Sequence, residues 1–186
     1  EGIVLGKNPK IINSETKNGD EMLKPVIKVK SAIIKNHFNE LTIHFNGNYA
    51  LVFRAYDDGI AYRWLTQFDR EIKIKNEQVT FNFAGDHDIY FPEEESFFTH
   101  SERIYPRIRL SEISPYRMSC MPALVDIEAG PKVVITEADL DDYPGMYLTG
   151  SNDDSTTLTG KFPYYPLEVE QKSDRNVPVT KRADYL

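Results

Sequence analysis

The chain has 186 residues, of which 40% are hydrophobic and 12% are aromatic, and this composition excludes a disordered polypeptide. It carries 22 Lys and Arg against 29 Asp and Glu, and the resulting net charge of -7 disfavours binding to nucleic acid or anionic lipid. Its one cysteine, Cys120, excludes an intrachain disulfide and a CxxC redox pair. The length is typical of a single domain with one sizeable core.

The first third of the chain predicts β-strands with a period of two. Residues 13–21 are polar and are predicted to be a loop, and a strand is predicted near residues 26–34. Leu41, Ile43 and Phe45 alternate with polar residues, which predicts a half-buried strand. The clearest hairpin is LVFRAYDDGIAYRWL, residues 51–65, in which Asp58-Gly59 is expected to supply the positive φ angles of a tight turn.

The remainder of the chain continues the same pattern with shorter strands. Apolar alternation predicts strands through Ile72 and Ile74 and from Val79 to Phe83. Further strands are predicted at residues 104–110, 123–127, 133–136, 146–148, 156–160 and 167–170. The last sixteen residues are polar and are interpreted as a tail or as a strand without a partner. Because no stretch carries a 3.6-residue apolar stripe and no apolar run reaches 18 residues, we expect little helix and no membrane span. The fold class is therefore all-β, an antiparallel β-sandwich or a barrel-like relative.

Three acidic groups are candidates for chemistry, and each also has a structural explanation. Asp57 and Asp58 lie at the hairpin tip, where a turn favours Asp. Asp86-His87-Asp88 has metal-ligand residue types, but neighbours in an extended segment point to opposite faces, so a loop at a strand entry is favoured. Residues 93–95, three glutamates, are interpreted as a solvated acidic edge that could also border a sugar site.

Aromatic residues and the cysteine are weaker candidates. Trp64 could stack on a sugar ring, but its alternation with Ile60 and Tyr62 favours a packed sheet face. Loop tyrosines could take part in binding, since binding residues concentrate in loops; they are Tyr105, Tyr116, Tyr143, Tyr164 and Tyr165. Cys120 is interpreted as a small core residue rather than a nucleophile.

The stretch VVITEADLDDYPGMYL, residues 133–148, places four carboxylates directly after a predicted strand. They are Glu137, Asp139, Asp141 and Asp142. Calcium takes six to eight oxygen ligands, so carboxylates at a strand exit could begin a calcium site. The order does not match an EF-hand loop, and no second acidic loop completes it. A metal site and a solvated loop both remain open from the residues alone.

Four stretches in the same order resemble the N-terminal domain of glycoside hydrolase family 97, the α-glucosidases and α-galactosidases of Bacteroidetes. They are FNELTIHF, FRAYDDGIAYRW, GDHDIYFP and TEADLDDYPGMYL, and the resemblance runs from about residue 30 to residue 150. It implies a galactose-mutarotase-like β-super-sandwich followed in the whole enzyme by a catalytic (β/α)8 barrel, which would hold the catalytic residues.

The same resemblance gives the expected functional residue. One glutamate of the N-terminal domain helps to coordinate a catalytic calcium, and by motif position it is Glu137 here; the other three carboxylates of the stretch take turn or solvent roles. The implied partners are the barrel and an α-linked oligosaccharide, and the implied location is periplasmic or secreted. The chain is expected to be one domain over residues 1–186, truncated at both ends. Alternative functions are an autonomous carbohydrate-binding module or a purely structural interaction domain.

Overall fold

The computed structural model describes residues 2–186, and its regular structure is nearly all β, which confirms the predicted fold class. Its one helical element is a single 3-10 turn at Leu110–Glu112. Among residues 2–186, no helix has the length and apolarity needed to cross a bilayer. The chain divides into two compact units, the first ending at Ile72 and the second running from Lys73 to Leu186. The expectation of a single domain stays a prediction.

The first unit is a four-stranded antiparallel meander in which each strand pairs with the next along the chain. Its strands are β1 (Ile11–Leu23), β2 (Ile34–Phe45), β3 (Tyr49–Ala55) and β4 (Ile60–Thr66). The predicted hairpin at residues 51–65 is therefore confirmed as β3 and β4, which pair from Tyr49↔Thr66 to Ala55↔Ile60.

The turn chemistry of that hairpin differs from the expectation. Residues 56–59 form a four-residue loop in which the Tyr56 N–H donates to the Gly59 carbonyl at 2.8 Å, and neither Asp58 nor Gly59 has a positive φ. Positive φ occurs instead between β2 and β3, at Gly47 (108°) and Asn48 (62°). The shorter connection reverses the chain in three residues and so needs the left-handed conformations that the longer loop avoids.

Residues 13–21 were expected to be a loop, and that prediction was wrong, because they belong to the long strand β1. Most of its side chains are exposed, so no apolar alternation marks the strand in the sequence. Polar cross-strand contacts accompany the backbone pairing instead. Lys17 pairs with Glu40 at 2.8 Å, and Asn36 donates to Glu21 at 2.6 Å, both between directly opposite residues.

Two predicted strands do not exist. Residues 24–33 form the connection between β1 and β2, and Val26, Ile27 and Val29 have exposed side chains. Residues 67–79, which include Ile72 and Ile74, contain no strand either. In both segments β-branched residues lack the neighbouring strand that would bury them, so their propensity alone does not produce a sheet.

The expected inward face of β2 is only partly buried. Phe45 is buried, but Leu41 is 37% exposed, and Glu40 and Thr42 are buried instead. Glu40 is covered because it accepts a hydrogen bond from Arg54 Nε at 2.5 Å and pairs with Lys17, while the Arg54 guanidinium lies 4.2 Å from the centre of the Phe38 ring. The hydrogen bonds from Lys17 and Arg54 lower the pKa of Glu40 below its usual range. The ion-pair group around Glu40 therefore lies on the opposite face of β2 from Phe45, together with the buried apolar side chains of Phe38, Ala50 and Val52.

The second unit contains eleven strands in three antiparallel sheets. The strands are β5 (Thr80–Asn82), β6 (Asp88–Tyr90), β7 (Glu93–Glu94), β8 (Arg107–Arg109), β9 (Met118–Ser119), β10 (Ala123–Asp126), β11 (Lys132–Ile135), β12 (Tyr147–Gly150), β13 (Thr157–Lys161), β14 (Pro166–Val169) and β15 (Val179–Arg182). Their orders are β11-β10-β6-β8, β5-β13-β12-β9-β7 and β14-β15. Five predicted strands are confirmed, and their boundaries agree with the structure within two residues; they are residues 123–127, 133–136, 146–148, 156–160 and 167–170. The predicted strand at residues 104–110 is shorter in the structure, where it contains only β8.

The two larger sheets of this unit share one core. Ile89 on β6 and Val125 on β10 belong to the same buried cluster as Leu148 on β12 and Leu158 on β13, and all four side chains are at most 1% exposed. Removal of apolar surface from water is the main favourable term in such a core. The shared core makes this unit a β-sandwich.

The interpretation of the last sixteen residues as a tail or an unpartnered strand was wrong. Strand β15 pairs with β14, and the rings of Tyr165 and Tyr185 stack with centroids 5.8 Å apart. Asp184 forms an ion pair with Lys75, and the Leu186 N–H donates to the Ile74 carbonyl at 2.7 Å. These contacts fix the position of the last sixteen residues, although their polar sequence shows no alternation of apolar residues.

Candidate functional site

Glu137 lies two residues after β11, at the start of a loop that closes on itself. The Met146 N–H, just before β12, donates to Glu137 Oε2 at 2.7 Å. The Glu137 side chain is half-buried, and this burial raises the pKa of its carboxyl above the ordinary value of 4.5; the hydrogen bond from Met146 opposes that rise, and the negative charge of Glu77 adds to it. One carboxylate oxygen is thus fixed by the backbone in a place where its charge is poorly solvated.

A second contact ties the same loop to the segment before β5. The Tyr143 hydroxyl donates to Glu77 Oε2 at 2.7 Å, and the Tyr143 ring packs edge-on against Phe162 with centroids 6.0 Å apart. Within residues 2–186 no ion pair with a lysine or arginine joins either Glu77 or Glu137. Each of the two carboxylates thus accepts a hydrogen bond from a neutral donor, Glu137 from a backbone N–H and Glu77 from a hydroxyl.

The remaining carboxylates of the stretch do not join Glu137. Asp139, Asp141 and Asp142 are exposed, and Asp139 has a positive φ of 60°, a conformation that Asp tolerates in turns. No group of three or more His, Cys, Asp or Glu side chains that could hold a metal ion occurs in the part of the chain from Gly2 to Leu186.

The Asp86-His87-Asp88 group has separate structural roles, as expected. Asp86 accepts hydrogen bonds from the backbone and hydroxyl of Ser111, at 3.0 and 2.8 Å. Asp88 accepts from Arg107 and Arg109, and these hydrogen bonds lower the pKa of its carboxyl. Asp86 and Asp88 are thus both held by hydrogen-bond donors from residues 107–111.

The interpretation of residues 93–95 as a solvated acidic edge was wrong for Glu94, whereas Glu93 is partly exposed and Glu95 is exposed. The Glu94 side chain is fully buried and accepts hydrogen bonds from Thr99 at 2.7 Å and Arg103 at 2.9 Å. Glu93 accepts two hydrogen bonds from Arg117, at 2.7 and 2.8 Å, which lower the pKa of its carboxyl. Arg103 and Arg117, which follow later in the chain, thus hold the carboxylates of Glu94 and Glu93 by charge-assisted hydrogen bonds.

The aromatic alternation on β4 gives an exposed row rather than the packed face that was favoured. Ile60 is 87% exposed, Tyr62 45% and Trp64 36%. The Trp64 ring contacts Tyr49 with centroids 5.8 Å apart, and Phe53 on β3 lies beside Tyr62 at 6.2 Å. Several loop tyrosines are also exposed; they are Tyr105, Tyr116, Tyr164 and Tyr165.

Cys120 is a small core residue, as predicted. It is 4% exposed, and its Sγ lies 3.6 Å from the Pro92 carbonyl oxygen. Burial raises the pKa of the thiol, so the thiolate needed for nucleophilic attack is disfavoured.

Glu77, which contacts the loop between Glu137 and Met146 through Tyr143, is a residue that the sequence did not indicate. It lies in the polar stretch KNEQ, where a glutamate carries no pattern, and its contact residue Tyr143 is 66 positions away. Only the fold brings the two together, so no local motif could have revealed the contact.

The second unit is thus an all-β antiparallel sandwich that carries a half-buried, backbone-anchored glutamate on one loop. A family model described as glycosyl-hydrolase 97 N-terminal matches residues 2–182, and the chain belongs to this family. The chain is also similar to a retaining alpha-galactosidase of Bacteroides thetaiotaomicron, with 32% identity over 196 aligned residues. The alignment covers 100% of this chain and 29% of that relative, so the chain spans less than a third of the length of the curated protein that it matches.

Proposed function

We propose that this chain is the non-catalytic N-terminal module of a calcium-dependent exo-α-glycosidase. In this proposal it packs on a catalytic (β/α)8 barrel, borders the active site and donates Glu137 to a catalytic calcium ion, in the periplasm or outside the cell. Membership of the glycosyl-hydrolase 97 N-terminal family supports the module's identity. The name of the similar enzyme favours α-galactosides over α-glucosides, and retention over inversion.

The division of labour follows from the chemistry of glycoside hydrolysis. Cleavage needs two carboxyl groups on either side of the glycosidic bond. In a (β/α)8 enzyme these groups stand at the carboxyl ends of the barrel strands. We therefore assign no catalytic residue to this chain, and an α-linked oligosaccharide would meet the module only at the border of the active site.

The geometry of Glu137 is the observation that carries the calcium assignment. Its carboxylate is half-buried, one of its oxygens is fixed by the Met146 N–H at 2.7 Å, and no basic side chain of residues 2–186 neutralises it. A carboxylate is a hard oxygen donor of the kind that calcium prefers. A bound cation would compensate the charge that burial and Glu77 leave uncompensated.

The residues of this chain would orient the ligand rather than complete the site. When bound, calcium supplies a fixed positive charge that positions carboxylates and supports charge developing during bond cleavage. The Met146 N–H holds Glu137 Oε2 in place. The hydrogen bond from the Tyr143 hydroxyl to Glu77 holds the middle of the loop that runs from Glu137 to Met146. The other ligands would come from the barrel.

Replacing Glu137 with glutamine in the full-length enzyme tests this proposal. The change keeps the size of the side chain and an acceptor for the Met146 N–H but removes the charge. We expect calcium to bind at least about tenfold more weakly, measured by isothermal titration, because loss of a charged oxygen ligand weakens a calcium site. Turnover of a p-nitrophenyl α-galactoside should fall in parallel and should recover in part at higher calcium concentrations.

Stability without calcium is the folding control for this variant. Since the pKa of Glu137 is raised, its ionised form costs stability at pH values above 4.5, and glutamine removes that cost. The calcium-free variant should therefore melt no lower than the wild type at neutral pH. Asp141→Asn removes one charge from the same loop at an exposed position and should leave calcium binding unchanged. A Glu137→Gln enzyme that keeps its calcium affinity and activity would support the purely structural alternative.

The exposed aromatic row favours a second candidate, an autonomous carbohydrate-binding module. Trp64, Tyr62 and Phe53 lie together on β3 and β4 with accessible side chains, and aromatic faces stack on sugar rings. Micromolar titration heat with maltooligosaccharides, lost in Trp64→Ala while the fold persists, would favour this candidate. We prefer the calcium-donating module because family membership and the Glu137 geometry both support it.

A further inference from the structure

The connection between β1 and β2 exposes several large aliphatic side chains close together in the chain. Residues 24–33 contain no strand, and the side chains of Val26, Val29 and Ile27 are 101%, 82% and 76% exposed. The apolar side chains on either side are exposed as well; they are Met22, Leu23, Ile33 and Ile34. Single exposed hydrophobic residues are ordinary on a protein surface, whereas a contiguous group of them marks an interaction site.

The same connection is basic in a chain that is acidic overall. Residues 24–35 include four lysines and no Asp or Glu, although the whole chain has a net charge of -7. The lysine side chains are exposed, and none of them forms an ion pair with a carboxylate of residues 2–186; they are Lys24, Lys28, Lys30 and Lys35. Residues 22–35, here called the basic segment, therefore combine unburied apolar surface with uncompensated positive charge.

An acidic protein surface matches both properties of the basic segment. Aliphatic side chains gain free energy when a contact removes them from water, and lysines at the border of such a contact pair with carboxylates of the partner. An anionic lipid surface matches less well, because the segment has no Trp, Tyr or Phe, which are typical of membrane interfaces. Lysines can also protect an exposed segment from aggregation, but that role leaves the exposed aliphatic side chains unexplained.

The catalytic domain of the same polypeptide is a better partner than a second copy of this chain. A basic segment that met an acidic surface elsewhere on a second copy would form a head-to-tail contact, which gives rings or open filaments. The similar alpha-galactosidase is much longer than this chain, which covers 29% of it. A domain beyond the matched part can bury the segment within one polypeptide, without any association between copies.

We propose that the basic segment docks this module on an acidic surface of the catalytic domain, with its aliphatic side chains buried in the contact and its lysines paired at the border. This inference rests on the proposed function, in which the module packs on a catalytic barrel. It adds the surface through which the module packs and the charge of the surface that receives it.

Cysteine labelling of the full-length enzyme tests the burial of the segment. Val26→Cys places a thiol at the most exposed position, and labelling of that peptide by a maleimide is followed by mass spectrometry. We expect the native variant to react at least about tenfold more slowly than the same variant unfolded in urea. Ile104→Cys is the matched control, because Ile104 is 86% exposed and lies outside the segment, and it should react within about threefold of its unfolded rate.

Charge reversal in the same assay tests the acidic character of the partner. The pair Lys28→Glu and Lys30→Glu, added to Val26→Cys, should raise the native labelling rate on the order of tenfold, because attraction across the contact becomes repulsion. Salt at about 0.5 M should raise the rate of Val26→Cys by a smaller factor through screening. The pair Lys7→Glu and Lys10→Glu reverses two exposed lysines outside the segment and should change the rate by less than about twofold.

The outcomes separate this inference from the proposed function. If native Val26→Cys reacts as fast as Ile104→Cys in an active enzyme, the inference is overturned and the proposed function stands, since the module could pack through another surface. Slow labelling that occurs only in oligomers, identified by light scattering, or only with phosphatidylglycerol vesicles would also overturn it. If Val26→Cys is protected while Glu137→Gln binds calcium normally, the calcium assignment fails and the docking surface stands.

Discussion

Replacing Gly150 with alanine is expected to lower the free energy of unfolding by about 3 kcal/mol or more, or to prevent folding of the second unit. Gly150 ends β12, and a Cβ atom built there would lie 1.8 Å from the Ile113 carbonyl oxygen and 2.7 Å from its carbonyl carbon. Both are backbone atoms, which cannot rotate away as a flexible side chain could.

The cost arises because the neighbouring segment would have to move as a whole. The Gly150 N–H donates to the Ser114 carbonyl, and the Thr149 hydroxyl donates to the Pro115 carbonyl at 2.9 Å. Ile113 itself is 3% exposed and belongs to the core. Separation of these backbones would break the hydrogen bonds and open the core together.

Urea denaturation followed by far-UV circular dichroism measures this effect. Gly145→Ala is a matched control in the same unit, because a Cβ atom there would meet only Glu137 Oε2, at an ordinary contact distance of 3.8 Å. The control should change stability by less than about 1 kcal/mol. Equal denaturation midpoints for Gly150→Ala and the wild type would contradict the close approach of β12 to residues 113–114.

Replacing Leu148 with alanine is expected to cost about 3 to 4 kcal/mol, because it removes a large side chain from the centre of the sandwich. Leu148 lies on β12, is 0% exposed, and shares its cluster with Ile89 and Val125 from the opposite sheet. The strands on both sides of β12 are hydrogen-bonded to it, so the sheet cannot collapse into the cavity without losing its pairing.

Leu167→Ala is the matched control, because the same atoms are removed from β14, where the leucine is 49% exposed. This change should cost about 1 kcal/mol or less. The free energies of unfolding of both variants are obtained from urea titrations with the slope checked against the wild type. Similar losses in the two variants would mean that Leu148 is not in a closed core.

The sequence predicted strands well where apolar residues alternate and a neighbouring strand is present to pair with them. Strands β2 to β4 and β10 to β14 follow from alternation and turn residues. Strand β1 could not be predicted this way, since its exposed polar side chains pair across to β2 and leave no apolar pattern. The strand near residues 26–34 was predicted wrongly for the opposite reason. Its residues Val26, Ile27 and Val29 have strand-forming side chains but no neighbouring strand to cover them.

The candidate site was predictable only in part, for a related reason. The residues after β11 left four carboxylates open, and only the family resemblance singled out Glu137, which the loop holds half-buried against Met146. Its role in calcium binding stays a prediction. The contact of Glu77 with Tyr143 and the burial of Glu94 under Thr99 and Arg103 depend on pairings that the fold alone creates. A glutamate in a polar stretch looks the same in sequence whether water or a buried partner surrounds it.

The position of Trp64 on β4 also makes the chain's intrinsic fluorescence a selective reporter. The chain contains one tryptophan, and its indole lies in the first unit, 36% exposed beside Tyr49. Emission excited at the red edge of the absorption band therefore monitors the meander sheet and not the sandwich that holds Glu137. Comparing that emission with circular dichroism during unfolding would resolve whether the two units lose structure in one transition or in two.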